Sequence, residues 1–559
     1  MCGIYGYVGE KNAFEQVQAG LELLQYRGYD SCGIAAFNKS QFKINKAVGV
    51  LKNLKKPTFN SHIAFGHTRW ATHGAVNEIN AHPHYSIDHA FTVVHNGIIN
   101  NAQEIKTMLE EKGIKFYSQT DTEVIANLLY VLNGTVEERI KKSLNILQGS
   151  FALIIGTKDG VLYLVKRFSP LNLLKVDKEI RVSSDKASLP SGELYTLHDE
   201  DVIKINNSEI TAINGELKFE VYTNNIERLN KGNYQHYMIK EINETPTSIY
   251  NTYQNICDID FKKIFKGKKR LIFIGCGTAY HSCLVGEYLF KIKGGFETEN
   301  CLASNYIRPE TITKQQLFII VSQSGETADC IKVAEQIKAK GGQILLITNE
   351  GKSTLTRFAT YCICTKAEKE IAVASTKTYS CQVFVFEYMI NRLTNDKYTL
   401  NIKKLVENLT YHLKNINIDN LVRRFKQSDK LIMIGKDFDY LILQEASLKI
   451  REIDYYFTIP MYAGELKHGT LSLVDEGTTV MALNTSQDKN ALNTAISEIV
   501  SRKGQVVNIE DYVPIDISQQ DFKAIYAILP FQLLSYKLAV ELDHNPDMPK
   551  NLAKSVTVE

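Results

Sequence analysis

A cysteine follows the initiator methionine, in Met1-Cys2-Gly3-Ile4. Removal of Met1 would leave Cys2 with both a thiol and a free α-amine. A thiol is a strong nucleophile, and an adjacent amine can act as its base. Free thiols titrate near about 8.5 and α-amines near about 7.7–8.0, so a proton passes easily between them at neutral pH. Later segments carry groups suited to such a nucleophile. In His67-Thr68-Arg69-Trp70-Ala71-Thr72-His73-Gly74, the planar fork of Arg69 can clamp a carboxylate. In His95-Asn96-Gly97, the Asn side chain and the Gly N–H make a chemically sensible oxyanion pair. Asp121 can accept a substrate ammonium, or it can serve at a helix N-terminus, the commoner role.

A second group of motifs lies beyond residue 270. Ser322-Gln323-Ser324-Gly325-Glu326-Thr327 follows an apolar run, and three hydroxyl residues crowd one turn. Hydroxyls and free N–H groups at a helix start cradle phosphate, or they cap the helix. Gly275-Cys276-Gly277-Thr278 also follows an apolar run, but the third glycine of a dinucleotide fingerprint would fall at Tyr280. There is no GxxxxGK[ST] loop, so ATP has no support. Glu445, Lys449 and Glu452 stand at i, i+4 and i+7, which places them on one helix face. The default reading of such a face is a solvated, ion-paired surface. His468, in Gly464-Glu465-Leu466-Lys467-His468-Gly469, can act as a general acid or base. Lys554 lies in the final segment, where chains usually fray. Seven histidines crowd one stretch (His62, His67, His73, His82, His84, His89 and His95), but their spacing fits no zinc pattern, and no metal is expected.

These groups must be positioned by two different kinds of scaffold. Short β-type runs at 4–8, 33–37, 63–66, 91–94, 151–155, 161–165, 180–183 and 201–205, with helical patterns at 13–24 and 122–132, predict a layered α+β domain. Polar sequence over 226–245 reads as a linker into a helix. Beyond it, apolar strands alternate with amphipathic helices, the pattern of parallel α/β units. Residues 269–275 match 429–435, and 338–344 resemble 501–506 at a similar offset. Two matches at one spacing imply a duplicated fold, with the dense serine turn and hence the phosphate site in the first copy only. The expected divisions are 1–225, the linker 226–245, 246–415, 416–548 and a tail at 549–559.

The chain has 559 residues, 44% hydrophobic and 23% charged, and a net charge of +3. That composition fits a soluble globular protein, and the charge is too small to argue for nucleic acid or a membrane surface. No apolar run approaches the roughly 18 residues of a membrane span, and the start does not read as a signal peptide. The ten cysteines are scattered without a CxxC pair, which reads as reduced cytosolic thiols.

Taken in order, Cys2, Tyr26-Arg27-Gly28-Tyr29-Asp30-Ser31, the 67–74 segment, Asn96-Gly97 and Asp121 resemble the class II glutamine amidotransferase domain of the N-terminal-nucleophile hydrolases. The resemblance implies that Cys2 attacks the glutamine side-chain amide and that its own amine shuttles the proton. Asn96 and Gly97 would hold the oxyanion. Arg69 and Asp121 would grip the ends of glutamine, with Trp70, Thr72, His73 and His82 completing the pocket, and Arg27 and Trp70 in gating loops. The second half resembles the paired sugar isomerase (SIS) subdomains of the glutamine–fructose-6-phosphate aminotransferase family. The motifs that carry this are Ser322–Thr327, Val373-Ala374-Ser375-Thr376-Lys377, the Glu-Leu-Lys-His-Gly segment and the Asn551–Glu559 terminus. It implies that Thr278, Ser322, Gln323, Ser324, Thr327, Val373 and Ser375 hold a sugar phosphate. Lys554 would form a Schiff base with the open-chain ketose, Glu452 would move the proton, and Glu445 and Lys449 would assist. His468, from a neighbouring subunit, would open the ring. Substrates would be L-glutamine and fructose 6-phosphate, with ammonia passed internally and no cofactor, in a cytoplasmic homodimer. One departure is Ala279, where the family often has Ser after Cys-Gly-Thr. An amidotransferase or deglycase-like enzyme on another sugar phosphate is the alternative. A non-catalytic sugar-phosphate sensor would need neither Cys2 nor Lys554.

Overall fold

A computed structural model describes residues 2–71, 74–224, 230–307, 311–395, 397–428 and 430–556. The chain divides into two compact units, residues 1–230 with 553–559, and residues 231–552.

The first unit is built on two antiparallel sheets. The larger runs in the order Glu220–Tyr222, Gly192–Thr196, Asn172–Val176, Glu179–Ser183, Gly3–Val8, Ile63–Arg69, Ser31–Phe37, Phe42–Val48. The smaller runs Glu209–Ala212, Val202–Asn206, Leu162–Arg167, Gly149–Thr157, Phe91–Ile99, His84–Tyr85. Strand side chains alternate between faces, and the first strand demonstrates the result. Ile4 and Val8 join Phe65, Val94, Ile154 and Leu164 in one core, which lies between the sheets. Tyr5 and Tyr7 join Phe14, Val17 and Leu21 of the helix Ala13–Glu22 in another. Val93, Phe151 and Leu153 pack against the helices Ala102–Glu111, Asp121–Val131 and Val136–Ile146 in a third. The layers are therefore helix, sheet, sheet, helices.

The second unit contains two parallel sheets, whose inner strands are near-continuous apolar runs because both faces are covered. The first has the order Glu297–Leu302, Arg270–Gly275, Gln316–Val321, Ile344–Thr348, Tyr361–Cys364. The second has Thr458–Tyr462, Lys430–Gly435, Thr478–Leu483, Gln505–Asn508. Within the matched segments, Arg270–Gly275 and Lys430–Gly435 form the same internal strand of each sheet, followed by the helices Thr278–Gly294 and Phe438–Ile453. In the first sheet the chain leaves Arg270–Gly275 for one neighbour and then crosses to the other side. Such a reversal opens a crevice at the carboxyl ends of the two strands. Residues 276–278 and 322–327 lie there.

The expected linker is partly helical. Tyr237–Asn243 forms a helix, and Thr245–Ile256 another. Met238, Ile242 and Ile249 are fully buried, and the Asp547 carboxylate accepts the N–H groups of Tyr237 and Met238. The polar composition hides these few apolar anchors. At the other end, residues 549–552 group with the second unit, and the tail from Ala553 groups with the first. No described helix is long and apolar enough to cross a membrane.

Candidate active sites

Pairing of Gly3 with Thr68 brings the amino-terminal strand beside the end of Ile63–Arg69. Cys2 is thereby held against Trp70. The Trp70 N–H donates to Cys2 Sγ at 3.3 Å, and the thiol faces the Trp70 carbonyl at 3.5 Å. The backbone of Trp70, not its ring, makes these contacts. Asn96 Nδ2 donates to the Cys2 carbonyl at 2.9 Å. Gly97 has φ +125, and a Cβ there would lie 1.9 Å from the Ser150 carbonyl oxygen, so only glycine fits. Burial pushes the Cys2 thiol up, while the Trp70 hydrogen bond and the Arg69 charge pull it down and Asp121 raises it. A cation and an anion thus both reach the thiol, a pairing suited to a zwitterionic amino acid.

Arg69 is buried and donates to the carbonyls of Ala75 and Gly74 at 3.4 and 3.5 Å. Asp121 opens the helix Asp121–Val131, with Thr120 in the N-cap position. Asp121 Oδ2 accepts the Ile99 N–H at 3.0 Å, and Oδ1 lies 3.6 Å from His95 Nδ1. Arg27 is buried in an ion pair with Asp185 at 2.8 Å and also bonds Tyr26. It braces its loop. His82 is likewise buried, stacked on His67 at 4.2 Å between ring centroids and bonded to Thr122 Oγ1 at 3.1 Å. Thr122 Oγ1 also meets His95, and Thr120 Oγ1 meets His84. His67, His82, His84 and His95 form a packed network behind the site. Among the described residues no three His, Cys, Asp or Glu side chains group as a metal site.

In the second unit, residues 322–327 turn from the strand Gln316–Val321 into the helix Ala328–Ala339. Ser322 Oγ meets Thr327 Oγ1 at 2.9 Å and accepts the Gly325 N–H at 3.1 Å. Ser324 Oγ accepts the Glu326 N–H at 3.1 Å, and the Gln323 carbonyl accepts the Asn349 N–H. Gly325 has φ +65, and a Cβ would lie 2.0 Å from Ser353 Oγ, so the turn depends on glycine. Nearby, the first helices of the two repeats meet. Glu445 Oε1 accepts Thr278 Oγ1 at 3.1 Å, and Oε2 lies 2.7 Å from His281 Nδ1. Lys449 Nζ bonds Glu452 at 2.7 Å, Thr278 at 3.1 Å and Glu445 at 3.2 Å. Glu445 and Lys449 are sealed from solvent, while the Glu452 side chain keeps 20% exposure. Burial opposes the Lys449 charge, but the carboxylates of Glu445 and Glu452 outweigh it and raise its pKa. Val373 and Ser375 lie in the loop before the helix Lys377–Thr394, and the Val373 N–H bonds the Asp547 carbonyl.

Comparison with known proteins places these two sites on one chain type. The glutamine amidotransferase domain family matches residues 67–191, and the SIS domain family matches 264–392 and 424–532. The chain is 36% identical over 613 aligned residues to a glutamine–fructose-6-phosphate aminotransferase (isomerizing) of Caldanaerobacter subterraneus subsp. tengcongensis, covering all of both chains. It is also 36% identical to the same enzyme of Fusobacterium nucleatum, again over all of both chains. The chain belongs to the glutamine–fructose-6-phosphate aminotransferase (isomerizing) family. The solved carboxy-terminal domain of a Francisella tularensis glucosamine-fructose-6-phosphate aminotransferase covers 57% of it, with TM-score 0.51 and 28% identity.

In this aminotransferase-family chain, the fold brings Cys2, Asn96, Gly97, Arg69, Trp70 and Asp121 together, and separately Thr278, Glu445, Lys449 and Glu452. Thr72 and His73 lie outside the described residues. His468 is exposed at the end of the 3₁₀ turn Ala463–His468, apart from the hydrogen bonds of the Glu445 and Lys449 set. Lys554 is half-buried in the tail segment that groups with the first unit. The Glu445 and Lys449 face, read by default as solvated, is buried beneath the neighbouring helices. Three residues with evident structural work carried no motif in the sequence. They are Thr122, which joins two histidines, His281, which bonds Glu445, and Glu370, whose carboxylate accepts the N–H groups of Thr376 and Thr378.

The buried histidines give the first unit an acid sensitivity. Burial, with the Arg69 charge and neighbouring imidazoles, holds His67 at about 3 and keeps His82 and His84 well below the usual value. Unfolded histidines titrate near about 6.5. Between those limits the unfolded chain binds protons that the native chain refuses, so stability falls as pH drops below about 6.5 and is unaffected above about 7.5. From pH 7 to 5 the loss is about 2 kcal/mol for His67, and His82 and His84 add to it in the same direction. Thermal melts followed by Trp70, the sole tryptophan, should show a clearly lower midpoint at pH 5 than at pH 7.5. Equal midpoints would contradict the buried neutral network.

Proposed function

We propose that this chain converts D-fructose 6-phosphate and L-glutamine to D-glucosamine 6-phosphate and L-glutamate, a first step of amino-sugar synthesis. The observation that carries this reading is the full-length likeness to aminotransferases of that name, together with a nucleophile site and a sugar-phosphate-type loop on one chain.

Cys2 attacks the glutamine amide, with its own α-amine as base once Met1 is gone. The Trp70 backbone orients the thiol, and Asn96 and Gly97 receive the oxyanion. Arg69 takes the carboxylate of glutamine and Asp121 its ammonium. In the second unit Ser322, Gln323, Ser324 and Thr327 hold the phosphate, and Thr278, Val373 and Ser375 the sugar. Lys554 forms the Schiff base. Glu452 moves a proton between carbons 1 and 2, which its partial exposure supports, while Glu445 and fully buried Lys449 fix its position. We assign His468 to ring opening on a partner chain. A homodimer is supported by the sheet-edge strand Thr458–Tyr462, where Phe457 is 95% exposed and Ile459 and Tyr462 are also exposed. Ten free cysteines support a cytoplasmic setting.

The test is a product assay with glutamine and a panel of ketose phosphates. Glucosamine 6-phosphate from fructose 6-phosphate, at the highest kcat/KM of the panel, is the expected result. A better rate with another ketose phosphate, or glutamate release with no amino sugar, would overturn the assignment.

A further inference from the structure

The second repeat has a crevice of its own. Arg270 pairs with Gln316 in the first sheet and Lys430 with Thr478 in the second, so residues 484–488 are the counterparts of 322–326. Gly277 and Asp437 match in the same way. Each directly precedes the first helix of its repeat, with φ +53 and φ +47. That backbone is rare outside glycine, and strained residues of this kind gather at functional sites. In the second repeat these two segments line a cavity of about 430 Å³, the size of a small-molecule pocket. None of the residues proposed to hold the sugar phosphate lines it.

The cavity is built against anions. Asp439 Oδ2 accepts the Thr485 N–H at 3.0 Å, and Oδ1 accepts the Thr485 hydroxyl. Where the first repeat is proposed to take a phosphate, the second supplies a carboxylate of its own, which repels another anion.

What the cavity lacks is a cation. Asp439 and Glu387 both line it, and they are 4% and 6% exposed. Glu387 Oε1 accepts the Phe522 N–H at 3.1 Å, and Oε2 accepts no hydrogen bond among the described residues. A carboxylate oxygen left unfilled at such depth is costly. Burial pushes the Asp439 carboxyl up to about 7 and raises Glu387 as well. The nearby lysines do not quench them. Lys293 Nζ is 3.8 Å from Glu387 and its side chain is 41% exposed, while Lys523 Nζ donates to the Thr485 carbonyl at 3.1 Å. Across the whole lining, five carboxylates face three lysines. Tyr288 and Phe438 add two aromatic walls, with ring centroids 5.4 Å apart. Carboxylates and ring faces together attract an ammonium. No metal-type group of three forms among the described residues, so the cation that suits the cavity is organic.

We propose that this cavity binds a small primary amine, whose ammonium is taken by Glu387 and Asp439 beside the rings of Tyr288 and Phe438.

The experiment is titration calorimetry at low ionic strength on the full-length enzyme, with fructose 6-phosphate present to occupy the first crevice. The probes are glucosamine 6-phosphate, glucosamine, putrescine and spermidine, and N-acetylglucosamine is the control without an ammonium. At least one amine should bind once per chain with a Kd of about 1 mM or tighter, and N-acetylglucosamine should not bind. The tightest probe identifies the source, an amino sugar for the first two and a polyamine for the others. Asp439→Asn and Glu387→Gln should each weaken binding about 10-fold or more. Asp521→Lys reverses an exposed charge on the lining without touching the core, and it should weaken binding about 3-fold or more. Absence of saturable binding by every amine, or equal binding of N-acetylglucosamine, would overturn the proposal. So would an unchanged affinity in Asp521→Lys, which is readable even if the two buried variants fold poorly. Amination of fructose 6-phosphate is no part of the readout, so this outcome is separate from that of the product assay above.

Discussion

Cys2→Ala is expected to cut glutamine hydrolysis by about 10³-fold or more, because no other group replaces the attacking sulfur. Isomerisation of fructose 6-phosphate should continue at close to the wild-type rate. The separation follows from what the thiol touches. Among the described residues, the hydrogen-bond contacts of Sγ are with the Trp70 backbone, and the bond from Asn96 goes to the Cys2 carbonyl, which alanine retains. The amino-terminal strand keeps its pairing with Ile63–Arg69, so the fold should lose no more than about 1 kcal/mol. Two rates decide the matter, glutamate release and glucose 6-phosphate formation, read beside a thermal midpoint. Surviving hydrolysis would mean a different nucleophile. Loss of both rates at an unchanged midpoint would mean that the two activities cannot be separated. The same chemistry makes Met1 a switch. A form that keeps Met1 has no free amine on Cys2, and it should be inactive with glutamine although its thiol is intact.

Much of this was legible because the chemistry is local in the chain. Asn96 and Gly97 are adjacent on one strand, where they pair with Ala152 and Phe151. The 322–327 turn carries its hydroxyls within one loop, and the repeat at 269–275 and 429–435 announced two sheets of one kind. Other features were not legible, for a common physical reason. Helical spacing put Glu445, Lys449 and Glu452 on one face, but spacing says nothing of what covers the face. The partners Thr278 and His281 arrive from another helix more than 160 residues away. Glu370 stands in the charged run Lys366-Ala367-Glu368-Lys369-Glu370, which reads as surface until its neighbours Ala367 and Ala372 prove to be buried. The 226–245 segment failed in the opposite direction, since two apolar residues four apart suffice to dock a short helix.

The structure also sorts the lysines. A Schiff-base lysine must shed its proton to attack a carbonyl, and burial alone would favour that. Lys449 is the most buried cation near the sugar loops, yet two carboxylates hold its proton and raise its pKa. It is therefore a fixed charge and a poor nucleophile, unlike the role proposed above for Lys554. Borohydride added with fructose 6-phosphate should reduce a hexose adduct onto Lys554 and nowhere else, as read by peptide mass spectrometry. Lys554→Arg should abolish the adduct and lower synthesis by about 10³-fold or more, while glutamine hydrolysis persists. Lys449→Met should fail in a different way. It strands the Glu445 carboxylate without its cation, a change worth about 3–5 kcal/mol in buried pairs, so the melting midpoint of the second unit should fall along with isomerisation. An adduct on Lys449, or a Lys449→Met enzyme of wild-type stability, would reverse these assignments.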